Sequence, residues 1–223
     1  MTELELDWSE LAFGSKKPLK DLRATFIAAP RELSAERFVQ LIKEYLPQGN
    51  IVLGLSKEEY VLGLEGQPQF RTLKISTVQS VIDKVNASSA KHKLYTLSYA
   101  QRDVKFIFEK VEFKKVILIN GSWYHAFHYG PEYYALAQKQ IPYVMLSPFA
   151  SEQEAQESAK RILPADGLPK KGLFTEREML QLAQQAATCS FDYSGFQTAV
   201  TLGRKWDNKY KLLASAHNKV VPY

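Results

Sequence analysis

Five short apolar runs, each rich in β-branched or aromatic residues, recur between residues 24 and 149 and constrain the fold most strongly. They are ATFIAAP (24–30), NIVLGLS (50–56), KLYTLSYA (93–100), KKVILING (114–121) and PYVMLSPF (142–149). Stretches with helical periodicity separate these runs, and such alternation is typical of a parallel sheet covered by helices. We therefore predict an α/β fold with a five-stranded, mostly parallel sheet and helices on both of its faces.

Three stripes of apolar residues lie between the runs at a spacing of three and four residues. They are Phe38, Leu41, Ile42 and Tyr45; Val78, Val81, Ile82 and Val85; and Val104, Ile107, Phe108 and Val111. Residues at this spacing share one face of a helix, so each stripe predicts a helix that packs on the sheet. Together with the strands they predict a Rossmann-like domain over residues 24–162, preceded by an N-terminal extension over 1–23.

The pattern changes after the segment LPADGLPKKGLF (163–174), whose two prolines and two glycines predict a linker. Ser151 with Glu154, and Thr175 with Glu178, each have the spacing of a capping box at a helix start. Beyond the linker we predict a helix over 176–188 and two strands, FQTAVTL and YKLLASA, joined by a loop GRKWDN. A ribbon of this kind presents an open edge, which predicts docking on the first domain or pairing with a second copy of the chain.

The composition excludes several classes of protein. With 45% apolar and 24% charged residues, the chain is typical of globular domains, and its single cysteine excludes an internal disulfide and a zinc site of several cysteines. The acidic start is unlike a signal peptide and no run of 18 apolar residues occurs, so we expect a cytoplasmic protein without a membrane partner. The net charge of +5 is spread over both halves, which favours a small anionic ligand over a polymeric nucleic acid.

Residues 175–223 resemble the front half of the cytidine and deoxycytidylate deaminase family. The resemblance lies in the helix REMLQLAQQAATCS, the strands GFQTAVTL and YKLLASAHN, and the turn NKVVP. In that family the Asn at the end of the second strand contacts the sugar of the substrate, and the matching residue here is Asn218. The resemblance therefore implies a nucleoside or nucleotide ligand and an incomplete deaminase-like segment over 175–223.

The catalytic motifs of the family come later in its sequence than this matching segment. They are an H-x-E and a P-C-x-x-C, which bind zinc and supply the proton shuttle for hydrolysis. None of the four histidines stands in an H-x-E, and one cysteine cannot form a C-x-x-C. The resemblance thus implies a longer parent protein, a zinc-dependent hydrolase, and a segment 1–223 that needs its missing half, and zinc, for deamination.

A nucleotide site is predicted at the carboxyl ends of the strands, where ligands of open α/β sheets bind. After the fourth strand, a tight turn offers free amides and a hydroxyl, and aromatic and imidazole rings follow it; after the first strand an arginine precedes Ser34, a predicted helix cap. The candidate residues are Asn120, Gly121, Ser122, Trp123, His125, His128 and Arg31. The same NGS segment is also typical of an ordinary structural turn, and both interpretations stay open at this point.

The first domain also resembles the nucleotidyltransferases of Rossmann-like architecture, through GLSKEEYVLGLEGQPQFRTL (54–73) and KIST (74–77). Those enzymes carry an H-x-G-H after the first strand, whereas PREL stands at that place here. The resemblance therefore implies a crevice for a nucleotide and leaves the transfer reaction open. Two alternatives to the deaminase hypothesis follow: a nucleotidyltransferase-like enzyme, and an interaction module without catalysis.

Overall fold

The computed structural model describes residues 14–29, 31–120, 127–162, 168–192 and 197–218. The chain forms two compact units. The first consists of residues 1–65 and 70–150, and the second consists of residues 66–69 and 151–223. The main part of the second unit thus starts at Ser151 and includes the segment 163–174 that the sequence predicts as a linker.

The first unit contains the predicted five-stranded sheet. Its strands are β1 Thr25–Ala28, β2 Ile51–Ser56, β3 Leu94–Tyr99, β4 Lys115–Ile119 and β5 Tyr143–Leu146. They pair in the order β3-β2-β1-β4-β5, and every pair is parallel. The helices of this unit are α1 Ala35–Tyr45, α2 Ile75–Ala87, α3 Val104–Lys110 and α4 Pro131–Gln138. The predicted α/β fold is confirmed.

The core of the first unit lies on both faces of the sheet. Phe26 and Ile27 are adjacent in β1 and point to opposite faces, and both are completely buried. Phe26 belongs to the cluster that includes α3 and α4, where its ring stacks on that of Phe113 with the centroids 4.7 Å apart. Ile27 belongs to the cluster that includes α1 and α2. Burial on both faces explains why the strands read as continuous apolar runs.

The second unit is a small antiparallel sheet with helices. Its elements are α5 Glu152–Ile162, β6 Leu173–Phe174, α6 Glu176–Ala187, β7 Ala199–Trp206 and β8 Lys209–His217, and the strand order is β6-β8-β7. Its apolar cluster consists of Met179 and Leu182 of α6 and Leu212 of β8, with Phe174 and Tyr210 packed beside them. None of the helices in the described part of the chain has the length and hydropathy needed to cross a bilayer.

Two details of the second unit correct the sequence-based predictions. The predicted loop GRKWDN is only a two-residue turn, Asp207 and Asn208, because residues 203–206 continue β7. Asp207 adopts a φ of 50°, a left-handed conformation that suits tight hairpin turns. Leu173 and Phe174, predicted as linker, form β6 opposite Lys211 and Tyr210.

Both predicted helix starts are present. Thr175 Oγ1 accepts a hydrogen bond from the amide of Glu178, whose carboxylate accepts one from the amide of Thr175, so this capping box is complete. Ser151 Oγ accepts from the amide of Glu154 at 3.2 Å. These bonds satisfy amides at helix starts that have no partner within the helix.

Candidate functional site

The strand order defines where a ligand would bind in the first unit. Strands β2 and β3 are added on one side of β1, and strands β4 and β5 are added on its other side. The reversal falls between β1 and β4, and ligands of open α/β sheets bind outside the carboxyl ends of the strands at such a switch point. The candidate site is therefore this carboxyl edge.

Arg31 and Asn120 stand at this edge on the two sides of the switch point, as the sequence predicts. Ala28 of β1 pairs with Leu118 of β4, so Arg31 and Asn120 follow adjacent strands. The Asn120 amide donates a hydrogen bond of 2.7 Å to the carbonyl of Leu146, which extends the β4–β5 ladder. The Arg31 side chain is only 3% exposed, and its guanidinium carbon lies 5.4 Å from the centroid of the Phe70 ring.

The loops that follow β1 and β5 are fixed to each other at the same edge. Ser34 caps α1 as predicted, since its hydroxyl accepts from the amide of Arg37 at 3.1 Å. The Ser34 amide donates to the carbonyl of Pro148, and Arg37 Nε donates to the carbonyl of Phe149, both at 2.9 Å. The start of α1 and the turn after β5 thus form one connected rim of the candidate site.

A second polar cluster, which the sequence analysis missed, lies after β2 and β3. Ser56 Oγ donates to Glu58 Oε2 at 2.7 Å, and the Gln101 amide donates to the same oxygen at 3.1 Å. Gln101 Nε2 donates to Ser56 Oγ at 3.0 Å and to the carbonyl of Tyr60 at 2.8 Å. The sequence does contain a signal for this cluster, namely polar residues directly after two neighbouring buried strands. The carboxyl ends of parallel strands share an edge, so such residues are expected to lie close together.

The charges of this cluster follow from its contacts. Burial raises the pKa of Glu58, but the hydrogen bonds from Ser56 and Gln101 outweigh it, and the net pKa lies below the ordinary value. Burial, and then the negative charge of Glu58, raise the pKa of Tyr99. Glu58 is therefore an ionised carboxylate held in one position, and Tyr99 is a neutral phenol near it.

His128 does not join Arg31 and Asn120, although the sequence analysis places all three in one site. Its Nε2 lies 2.8 Å from the hydroxyl of Tyr143, the first residue of β5, whereas Asn120 follows the last residue of β4. In a parallel sheet the first residues of the strands lie at the amino edge and the last residues at the carboxyl edge. Tyr143 and Asn120 therefore lie at opposite ends of the strands. The physical reason is an aromatic cluster: Phe127 is buried and its ring contacts those of His128, Tyr133 and Tyr143, with centroids 5.4–6.0 Å apart.

Four further candidates, Gly121, Ser122, Trp123 and His125, lie outside the described residues. Their assignment to a nucleotide site stays a prediction.

Asn218 occupies the predicted place in the second unit, directly after β8. Its side-chain oxygen accepts from the amide of Thr198 at 3.1 Å, and its side-chain nitrogen donates to Asp192 Oδ2 at 2.9 Å. Its amide also donates to the carbonyl of Thr198 at 3.0 Å. Asn218 thus joins the end of β8 to the residues before β7, and its amide group has a defined orientation.

Comparisons of the chain with protein-family models, with curated proteins and with solved structures find no match. Among the described residues, no group of three or more His, Cys, Asp and Glu side chains is placed to hold a metal ion. The candidate site therefore rests on the strand order and on the side chains at the carboxyl edge.

Proposed function

We propose that the first unit binds a nucleotide at the carboxyl edge of its sheet and that the protein acts in nucleotide metabolism. The observation that carries this proposal is the position of Arg31 and Asn120, which follow the two adjacent strands at the switch point. In this proposal the bound nucleotide is a regulator, or a substrate that the unit orients.

The side chains at this edge suit the parts of a nucleotide. A guanidinium forms paired hydrogen bonds with phosphate oxygens, and a carboxamide offers a donor and an acceptor to a base or a sugar. An acidic side chain after the second strand binds ribose hydroxyls in many dinucleotide-binding sheets, and Glu58 follows β2 as an ionised carboxylate. Phosphate, base and sugar would each have a partner of suitable chemistry.

Residues 175–223 of the second unit are proposed to be the front half of a cytidine or deoxycytidylate-type deaminase domain. Support comes from the succession of helix α6, strands β7 and β8 and then Asn218, which matches the resembling segment. The donor set of residues 1–223 does not fit the catalytic zinc of that family, since it holds one cysteine and no H-x-E. We therefore assign no deamination step to these residues.

A thermal-shift panel of CMP, dCMP, CTP, UMP, AMP, the matching nucleosides and inorganic phosphate tests the nucleotide site. A ligand at 100 times its dissociation constant stabilises the unit by about 2.7 kcal/mol. We expect Asn120→Ala to weaken binding about tenfold or more, because one truncated hydrogen-bonding partner typically costs 1–3 kcal/mol. Arg31→Lys keeps the charge and loses the planar fork, so it should weaken binding of nucleotides more than that of the matching nucleosides.

Asn208→Ala is the matched control, since it makes the same change at an exposed turn of the second unit. It should leave the nucleotide-induced shift intact. The absence of a shift with every nucleotide, or a full shift in Asn120→Ala, would contradict the site. The deaminase half has a separate test: an H-x-E and a P-C-x-x-C encoded downstream of codon 223 support it, and a stop codon there contradicts it.

A further inference from the structure

The β7–β8 hairpin carries a cationic face that is not part of the nucleotide site. Arg204 lies directly opposite Lys211, and Trp206 lies directly opposite Lys209. Opposed residues of an antiparallel pair project from the same face, and so do residues two apart in one strand. These four side chains, Arg204, Trp206, Lys209 and Lys211, therefore share one face, which we call the basic ribbon face.

The other face of the hairpin is occupied by the core of the second unit. Leu212 and Tyr210 alternate with Lys211 in β8 and pack with Met179 and Leu182 of α6. The basic ribbon face is thus turned away from this cluster. All four of its side chains are exposed, and Trp206 retains 60% of its accessible surface.

Further cations surround this face. The exposed Lys170 and Lys171 lie just before β6, whose Leu173 pairs with Lys211. Lys205 is also exposed, but it alternates with Arg204 and Trp206 and projects from the opposite face. Three acidic groups of the described residues lie nearby: Asp207 stands in the turn, and Glu176 and Glu178 lie in the first turn of α6. The Glu178 carboxylate accepts hydrogen bonds in the capping box and also interacts electrostatically with Lys209. The five cations at positions 170, 171, 204, 209 and 211 outnumber these three carboxylates, so the local charge is positive.

The arrangement of these charges is unfavourable in the absence of an anionic partner. Like charges directly opposite each other on neighbouring strands destabilise a sheet, and Arg204 opposes Lys211 in this way. A polyanion on the basic ribbon face would neutralise the repulsion.

We propose that the basic ribbon face binds single-stranded nucleic acid. Such surfaces combine cations that contact the phosphates with an exposed aromatic ring on which a base stacks, and stacking accepts any base. Trp206 supplies the ring in the middle of the cations. The exposed Leu202 and Leu213, which follow along the ribbon, offer additional apolar contact.

The tip of the hairpin favours this partner over a lipid surface. The turn consists of Asp207 and Asn208, both exposed and polar, so the tip offers no apolar side chain for insertion into a bilayer. An acidic protein would satisfy the cations, but its carboxylates would not stack on the exposed indole as a base does. Single-stranded nucleic acid would use both the cations, through its phosphates, and the indole of Trp206, through a stacked base.

The inference is independent of the nucleotide site because it concerns side chains of the other unit. A net charge spread over both halves of the sequence argues against polymeric nucleic acid. Folding changes that conclusion, since pairing of β6 with β8 brings the segment that contains Lys170 and Lys171 beside the strand that carries Lys209 and Lys211.

Fluorescence anisotropy with labelled 12-nucleotide poly(U) and poly(dT) strands, using the full chain at several salt concentrations, tests the proposal. Each phosphate contact contributes about −0.7 to the slope of log K against log salt, so three contacts predict a slope of about −2. Arg204→Gln with Lys211→Gln should reduce this slope by about 1.4. Trp206→Ala should weaken binding roughly 5- to 150-fold at constant slope, because one base–aromatic stack is lost.

The matched control is Lys43→Gln with Lys84→Gln, which removes the same charge from exposed positions of α1 and α2. It should leave oligonucleotide binding unchanged, and so should Asn120→Ala, which separates this result from the nucleotide site. Hydrogen exchange of residues 209–217 checks that each variant retains its hairpin. No binding, equal weakening by the control pair, no effect of Trp206→Ala, or tighter binding to phosphatidylserine vesicles than to the oligonucleotides would each overturn the proposal.

Discussion

The two units differ in how completely their sheets are covered. In the first unit the residues of β1 and the last four of β4 are buried, and apolar clusters lie on both faces. In the second unit one face packs on α6, while Val200, Leu202, Trp206 and Leu213 remain more than half exposed. In a sheet covered on both faces, a ligand can bind only at the ends of the strands. In a sheet covered on one face, the other face is also available for binding.

Topology explains this difference. Parallel strands need crossover connections, and their helices come to lie on both faces of the sheet. Antiparallel strands join through short turns such as Asp207–Asn208, which bring no covering element with them. The proposed nucleotide site and the proposed nucleic-acid surface follow from these two consequences.

Phe26→Ala should produce the largest loss of stability in the first unit. The ring is completely buried, stacks on Phe113 and contacts Phe108 edge-on, and truncation of such a residue costs about 3–5 kcal/mol. Urea denaturation combined with hydrogen exchange of the β1 and β4 amides measures the effect. Phe106→Ala makes the same change at a side chain that is 43% exposed, and a comparable loss there would contradict the described core.

Leu212→Ala should have a smaller effect, confined to the second unit. Leu212 is 3% exposed and packs with Met179 and Leu182, and we expect a loss of about 2–3 kcal/mol at the lower end of such truncations, because the small cluster can collapse. Leu213→Ala, at the next residue, removes a side chain that is 53% exposed and should stay within about 0.5 kcal/mol. Exchange of the β7–β8 amides measures both variants, and equal effects would show that the two faces of the ribbon are not as described.

Glu58 should add a smaller, pH-dependent contribution to the first unit. Its pKa is below the ordinary value in the folded state, so its stabilisation is present above the unfolded-state pKa and is lost as the pH falls through the folded-state pKa. Glu58→Gln should therefore flatten the decline of the unfolding free energy on acidification. Urea denaturation in steps from about pH 6 to pH 3 measures it. An unchanged decline in Glu58→Gln would contradict this contribution.

Much of the fold was predictable because buried parallel strands leave a direct trace in the sequence. All five observed strands of the first sheet fall within the predicted apolar runs. The second sheet leaves a weaker trace, since its exposed face carries charges that are typical of loops. Gly203 contributed to the wrong prediction that GRKWDN is a loop, because glycine is typical of turns. A Cβ at this position would lie 2.8 Å from Met179 Cε, so the glycine permits close packing inside a strand.

The candidate site was predictable in part, for the same kind of reason. Arg31 and Asn120 follow strand ends, and the edge rule places such residues without knowledge of tertiary contacts. His128 depends on which aromatic rings Phe127 meets, and the basic ribbon face depends on the pairing of Leu173 with Lys211. Contacts between segments distant in sequence do not appear in local patterns.

Hydrogen exchange of the intact chain, with and without saturating CMP, tests most directly the claim that the first unit holds a nucleotide at its carboxyl edge. We predict slower exchange for the amides of residues 31–34 and 119–120, and unchanged exchange in β7 and β8. Slowing confined to residues 199–217, or no change anywhere at saturating nucleotide, would contradict the claim.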